Sequence, residues 1–452
     1  MAYDPSTEPV EDGADPSSAF QKKMKEVLER AIISREWDYP LATAATDAAE
    51  MDHVDFAYWY YKMEKPTLKA EEGVLSRLFS NNKSFVKLPE GFERSSFLTL
   101  SASGDLMPMD GIEASQDKIY ENVSDILFNF DISFANLEAP VTKYKFEGSV
   151  IEPSDPENCT ILRSSFAQFD ALVRHKDLGF NVLNFATNHT FDLGLEGLET
   201  TQQLLVNRKI VCLGTPKRPQ DFGKATIITK AGIRVGFISA TFGLNNRRLP
   251  QSEAYRIHTS RLVSKYVEPE LELLKEQIRD CKAQGCDFVV ASMHWGFEFE
   301  FFPRSKQIDA AHELIEHGVD LIIGHHPHVV QPVEYYRTQR DPQRIAVIAY
   351  SLGGVTYDAW DAAAHLALSF VLNMKLSKGR VVGGAERTYI ESVEVIPVLQ
   401  HISKQGDTRL ISIEKLEEHV PVLCAQQPDD WSKRVEQCQI YADLVLGNQG
   451  AN

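Results

Sequence analysis

A short apolar run followed by three histidines in four positions constrains this chain more than any other stretch: Asp320-Leu321-Ile322-Ile323-Gly324-His325-His326-Pro327-His328. The run reads as a buried strand, and the residues that follow a strand emerge together at one edge of its sheet. Two imidazoles one residue apart at such an edge present two nitrogen donors to a metal. A histidine-rich surface turn has the same local pattern, so the reading depends on what the other strand ends carry.

Four other predicted strand ends carry residues of the same type: Asp105, Glu138, Asn188 with His189, and His294. Each alone has an ordinary role open to it. Asp105 suits a helix N-cap, Glu138 a surface charge, Asn188 a turn, and His294 a hydrogen-bonded core position. Together they form a pattern, because ligands of open α/β sheets bind beyond the carboxyl ends of the strands. These donors exceed what one tetrahedral ion needs, and a bridging carboxylate holding two ions uses them. A pair of ions about 3.5–4 Å apart polarises a phosphoryl or carbonyl oxygen and activates water. Oxygen and imidazole donors without cysteine suit Mn, Fe, Zn or Mg.

The rest of the chain supports an α/β fold. Strands are predicted at 96–102, 132–137, 181–186, 210–213, 225–229, 235–240, 287–292 and 345–349. Helices are predicted between them at 116–128, 166–175, 195–207, 261–283 and 308–316. Later strands at 366–375 and 390–395 lack intervening helices and suggest a second sheet packed on the first. Residues 1–94 read as a disordered acidic tail and a helical extension, 95–398 as the main domain, and 399–452 as a C-terminal helical extension. The aromatic run Phe56-Ala57-Tyr58-Trp59-Tyr60-Tyr61 reads as a buried helix face, and no chemistry is assigned to the N-terminal segment.

Forty-seven basic against 64 acidic residues give a net charge of -17, which argues against nucleic acid as a partner. Any anionic substrate then needs a locally positive centre such as bound metal. The six cysteines form no CxxC pair, as suits a reducing compartment. With no leader-like N-terminus and no apolar run near the roughly 18 residues of a membrane span, the expectation is a cytoplasmic protein without an integral membrane segment.

Six stretches in combination carry a family resemblance: Ser103-Gly104-Asp105-Leu106-Met107, Ala135-Asn136-Leu137-Glu138, Ala186-Thr187-Asn188-His189-Thr190-Phe191-Asp192-Leu193-Gly194, Met293-His294-Trp295-Gly296, Gly324-His325-His326-Pro327-His328 and Tyr350-Ser351-Leu352-Gly353. From Phe97 to Thr356 the chain resembles the CapA family of poly-γ-glutamate capsule synthesis proteins, in the calcineurin-like metallophosphoesterase superfamily. The resemblance implies a four-layered α/β/β/α sandwich with two metal ions at one edge. It implies that Asp105 ligates one ion, Glu138 bridges, Asn188 and His294 bind the second, and His326 and His328 are divided between them. His189 then meets substrate and protonates the leaving group, with Asp192 orienting it, while Trp295, Glu298 and His325 line the cleft.

The function implied is hydrolysis of a phosphoester or a γ-glutamyl-type amide, on a small-molecule or polyglutamate-type substrate. A non-catalytic polyglutamate-binding role and amide-bond formation in small-molecule biosynthesis stay open beside it. Three departures stand out, the first from the superfamily pattern and shared with CapA relatives. Met107 stands where the superfamily has a ligand histidine, Gly354 stands where the family often has asparagine, and the membrane anchor of many relatives is not seen.

Overall fold

The computed structural model describes residues 16–146, 148–152, 160–357, 363–406, 408–417 and 429–447. The acidic tail up to residue 15, Cys159, Cys424 and the C-terminal tail beyond Gly447 lie outside them. The N-terminal part contains helices α1 (Pro16–Ser34) and α2 (His53–Glu64). The remainder runs β1 (Phe92–Leu106), β2 (Ile132–Leu137), α3 (Phe166–Val173), β3 (Val182–Asn184), α4 (Gly194–Asn207), β4 (Val211–Leu213), β5 (Thr226–Lys230) and β6 (Ile233–Thr241). It continues with α5 (Glu272–Ala283), β7 (Phe288–His294), α6 (Ser305–His317), β8 (Leu321–His325), β9 (Val333–Arg337), β10 (Ile345–Ala349) and β11 (Gly354–Thr356). The chain closes with β12 (Leu368–Val381), β13 (Arg387–Gln405), β14 (Thr408–Lys415) and α7 (Asp429–Leu446).

Two sheets form. An eight-stranded sheet has the order β14-β13-β12-β1-β2-β3-β4, with β11 pairing on β1, and a six-stranded sheet has the order β9-β10-β8-β7-β6-β5. The strands β1 to β4, and β6, β7, β8 and β10, run parallel within their sheets. Parallel strands covered on both faces read as continuous apolar runs, and every residue of β8 is buried. Leu98, Leu100 and Phe134 of the first sheet share one core with Val235, Phe237, Val290 and Ile322 of the second. Phe134 stacks on Phe237 with ring centroids 6.4 Å apart. Removing such a ring costs about 3–5 kcal/mol.

Leu274, Ile278, Ile308 and Leu314 bring α5 and α6 into that core. On the other side, Phe169, Leu172, Leu198 and Leu205 of α3 and α4 pack with Leu106, Leu137 and Leu183 in a separate core. The fold is the expected α/β/β/α sandwich.

Several boundaries differ from expectation. The late strands do not make the second sheet. β12 pairs antiparallel with β1 along its length, and β5 to β10 form the second sheet instead. Residues 399–405 continue β13 and residues 408–415 form β14, within the stretch expected as a C-terminal helical extension. Ile411 and Ile413 are buried while Leu410 and Ser412 are half-exposed, the period-two alternation of a strand. The helix expected over 261–283 begins only at Glu272, because Pro269 lacks the amide that a helix interior needs. The helix expected over 116–128 shrinks to Ser124–Leu127, with Asp117 in the left-handed region at φ 63°. Among the described residues, no helix is long and apolar enough to cross a membrane.

Candidate metal centre

The carboxyl ends of both sheets meet at one edge. Register places Asp105 beside Asn136 across β1 and β2, and His294 beside His325 across β7 and β8. Two glycines make the close approach. A Cβ on Gly104 would stand 1.8 Å from the Gly353 carbonyl oxygen, and one on Gly324 would stand 1.8 Å from that of Tyr350. With hydrogen in place of a side chain, the segment between Tyr350 and Gly353 can lie against both strand ends. The Asp105 amide donates to Gly353 O at 2.9 Å. After β8 the chain turns sharply, with His326 at φ 94° and His328 at φ 56°. Such backbone costs on the order of 1–3 kcal/mol per residue and is tolerated only where surroundings enforce it. Here the His326 amide donates to Asp105 Oδ2 at 3.2 Å, and Pro327 O accepts from the Phe299 amide at 2.9 Å.

Asp105 Oδ2 lies 3.0 Å from His328 Nδ1, and its Oδ1 accepts from Asn136 Nδ2 at 2.8 Å. Glu138 Oε1 lies 3.5 Å from His328 Nε2 and 3.6 Å from His294 Nε2. His294 Nε2 is 2.8 Å from Asn188 Oδ1. Two buried groups result, Glu138 with His294 and His326, and Asp105 with Glu138 and His328. Within each group the potential ligand atoms lie within 4.8 Å of one another. Glu138 belongs to both.

The donor set fits a metal on a second ground. Both Glu138 oxygens are buried without a hydrogen-bond partner, as is His326 Nδ1. An unpaired buried carboxylate costs several kcal/mol, so the arrangement calls for a cation. Burial first, then the charges of Asp105, Glu298 and Asp192, push the Glu138 carboxyl well above its ordinary range against the pull of His328. Burial and the neighbouring imidazoles hold His294 and His326 well below theirs, so both rings are neutral, the form a metal accepts. Burial works against a charge on His328, yet Glu138 and Asp105 hold it up at about 9.

His189 stands beside this cluster. Its Nδ1 is 2.7 Å from Asp192 Oδ2, which also accepts the Leu162 amide at 2.7 Å. Asp192 Oδ1 pairs with Arg247 at 3.1 Å. Asn245 reaches both neighbours. Its Oδ1 accepts from Asn188 Nδ2 at 3.1 Å, and its Nδ2 lies 3.3 Å from His189 Nε2.

All six expected ligands, with His189 and Asp192, therefore gather at one place. Of the three residues expected to line the cleft, Glu298 and His325 lie beside ligands. Glu298 faces the site, its Oε1 3.7 Å from His328 Nε2. Trp295 and His325 are fully buried, as are Asp105, Glu138 and His294, and His325 Nδ1 lies 3.5 Å from Asp105 Oδ1. His325 stacks on Phe134 with ring centroids 5.6 Å apart. Met107 packs with Ala139 and Leu162 in an apolar patch.

Sequence reading missed Asn136, Asn184, Asn245, Arg247 and Thr46. Asn184 Nδ2 donates to Asn136 Oδ1 at 2.6 Å, and Asn136 Nδ2 lies 3.3 Å from His294 Nδ1. Asn136 stood two positions before Glu138, a period-two signal that could have found it. Thr46 gave no signal, yet its Oγ1 is 3.0 Å from His326 Nε2.

The sequence model of a family described as Bacterial capsule synthesis protein PGA_cap matches residues 99–358. The capsule biosynthesis protein CapA of Bacillus anthracis is 28% identical over 279 residues, covering 60% of this chain and 62% of that protein. The PGA biosynthesis protein CapA of Bacillus subtilis (strain 168) is 28% identical over 281 residues, covering 60% and 66%. The match thus spans less than two thirds of either relative. A solved structure described as "Termus thermophilus Sulfate thiohydrolase SoxB in complex with glycerol" aligns at 14% identity and a TM-score of 0.28, over 60% of this chain and 37% of that one. A likeness that low carries no weight for function.

Proposed function

We propose, from the premise that this chain belongs to the bacterial capsule synthesis protein PGA_cap family, that it is a metal-dependent hydrolase of a phosphoester or a γ-glutamyl-type amide. The observation that carries the reading is Glu138, buried, shared by two donor groups and without a hydrogen bond on either oxygen. The names of the two relatives, a capsule and a PGA biosynthesis protein, support the amide.

Two divalent ions, of Mn, Fe, Zn or Mg type, would be held by Asp105, Glu138, Asn188, His294, His326 and His328, and would supply Lewis acidity and activate water. Water oxygen joins the phosphorus or the carbonyl carbon and gives up one proton to solvent, and the P–O or C–N bond breaks. His189 gives the leaving atom its proton through Nε2. Asp192 accepts the Nδ1 hydrogen and so keeps Nε2 turned to the substrate. Arg247 and the Leu162 amide hold Asp192 in turn. Asn188 is 5% exposed and His189 9%, which favours a small group or a chain end entering the site over a polymer lying across it.

The test is metal analysis of the purified protein, then assay of an aryl phosphate and a γ-glutamyl peptide with added Mn²⁺. The reading expects bound metal, turnover of one of the two, and in His294→Ala loss of turnover together with one of the two ions. A protein that binds metal and polyglutamate but never turns over either substrate sinks the hydrolase reading in favour of a binding role.

A further inference from the structure

The N-terminal segment lies outside the family-matched span, which begins at residue 99, yet it reaches the centre of the site. Thr46 Oγ1 is 3.0 Å from His326 Nε2, and the indole N–H of Trp59 donates to Glu298 Oε2, the carboxylate beside His328. Neither contact is incidental. Around Thr46 the backbone is pinned from several sides. Leu41 O accepts from Arg304 at 2.8 Å, and the Leu41 amide donates to Tyr58 Oη at 3.3 Å. One residue before Thr46, the Ala45 amide donates to the buried Asp55 Oδ1 at 2.9 Å. One residue after it, Asp47 packs so closely on Gly243 that a Cβ there would come within 2.3 Å of its carboxylate.

The chemistry at His326 gives this placement a purpose. A neutral imidazole carries one hydrogen, and the partner of one ring nitrogen decides which nitrogen keeps a lone pair. His326 Nε2 has Thr46, whereas Nδ1 is buried with no partner. A hydrogen on Nδ1 would be stranded in the interior, at a cost of about 1–3 kcal/mol. With the hydrogen on Nε2 and Thr46 Oγ1 accepting it, the Nδ1 lone pair is free for an ion shared with Glu138 and His294.

We infer that Thr46 is a positioning residue of the metal centre: it holds His326 in the tautomer and orientation that offer Nδ1 to the ion, so residues 99–358 alone do not make a complete site. The inference rests on the metal-centre reading. It gives the N-terminal extension a task, since a segment that fixes one ligand from outside also closes that side of the site.

The experiment compares full-length wild type, Thr46→Val, Thr46→Ala and Thr46→Ser by calorimetric titration of the metal-free proteins with Mn²⁺, beside their thermal unfolding without metal. Partners of ligating histidines are worth about 10–100-fold in metal affinity. Valine keeps the shape and removes the acceptor, so affinity for one ion should fall by about that factor while the other ion binds as before. Alanine should behave the same way, and serine should restore binding. Metal-free melting temperatures should stay close to one another, which separates positioning from general loss of structure. Wild-type affinity in Thr46→Val or Thr46→Ala overturns the inference and leaves the metal centre standing. If Thr46→Val does not fold, the alanine and serine pair decides in the same way. A wild type that takes up no Mn²⁺ overturns the metal centre and this inference with it.

Discussion

Glu138 Oε1 stands 3.5 Å from His328 Nε2, and neither oxygen of that carboxylate accepts a hydrogen bond. A buried acid in this position must either hold a proton or face cations. The two states differ in what a substitution does. Glu138→Gln removes the charge and keeps the shape, so the metal-free variant should melt at or above the wild-type temperature. Wild type should gain several degrees with Mn²⁺ in excess, since a ligand at 100 times its Kd adds about 2.7 kcal/mol. The variant should gain none. An equal Mn²⁺ shift in both proteins would remove Glu138 from the centre.

The two donor groups share Glu138 but divide the histidines. His294→Ala and His328→Ala should therefore each retain one ion, and the double variant none. Metal content per chain after gel filtration reads this directly. Loss of all metal in either single variant would mean one cooperative site in place of two.

His189 touches Asp192 and Asn245, but no group among the described ligand sets includes it. His189→Ala should keep full metal content and lose about 10²–10⁴-fold in turnover, the usual worth of a positioned proton donor. Loss should be greatest for substrates with poor leaving groups, which need the proton most. Asp192→Asn should give a smaller fall of the same kind. Equal losses across good and poor leaving groups would count against the proton-donor role.

Away from the metals, Glu300 fastens the N-terminal extension to the domain. It accepts from Lys62 at 3.1 Å and from Arg304 at 2.9 Å, with Tyr58 donating at 3.0 Å. Burial alone would raise its carboxyl, but Arg304 and Lys62 hold it at about 2. Above about pH 4.5 the group is ionised in both folded and unfolded chains, and its contribution, about 3 kcal/mol at most, is whole. The contribution fades as pH falls from about 4.5 towards 2. Burial drags Lys62 below its ordinary range, which offsets part of that gain. Glu300→Gln strands two buried cations and should cost about 3–5 kcal/mol at pH 7, with a smaller gap at pH 3. Urea unfolding at the two pH values measures both, and an unchanged gap would refute the assignment.

How much of this could be read in advance follows from the range of each interaction. Asp105, Glu138, His294, His326 and His328 were legible because each ends a strand, and strand period and direction are local properties. Asn136 was within reach on the same grounds. The late strands were misassigned because pairing partners are not local. β12 returns to β1 across more than two hundred residues, and nothing in its own residues names that partner. Trp295 and His325 were placed on the cleft wall by the resemblance, and only the packing of the sheets shows both rings buried, His325 3.5 Å from Asp105.

The sequence by itself determined that this chain builds an α/β domain and which side chains end its strands, since side-chain periodicity and turn chemistry act over a few residues. Only the tertiary structure decided that Glu138 serves two donor groups, that His325 turns inward, and that Thr46 reaches His326 from 280 positions away. Those outcomes depend on how two sheets and an N-terminal segment close on one another, and packing of that kind has no signature shorter than the whole chain.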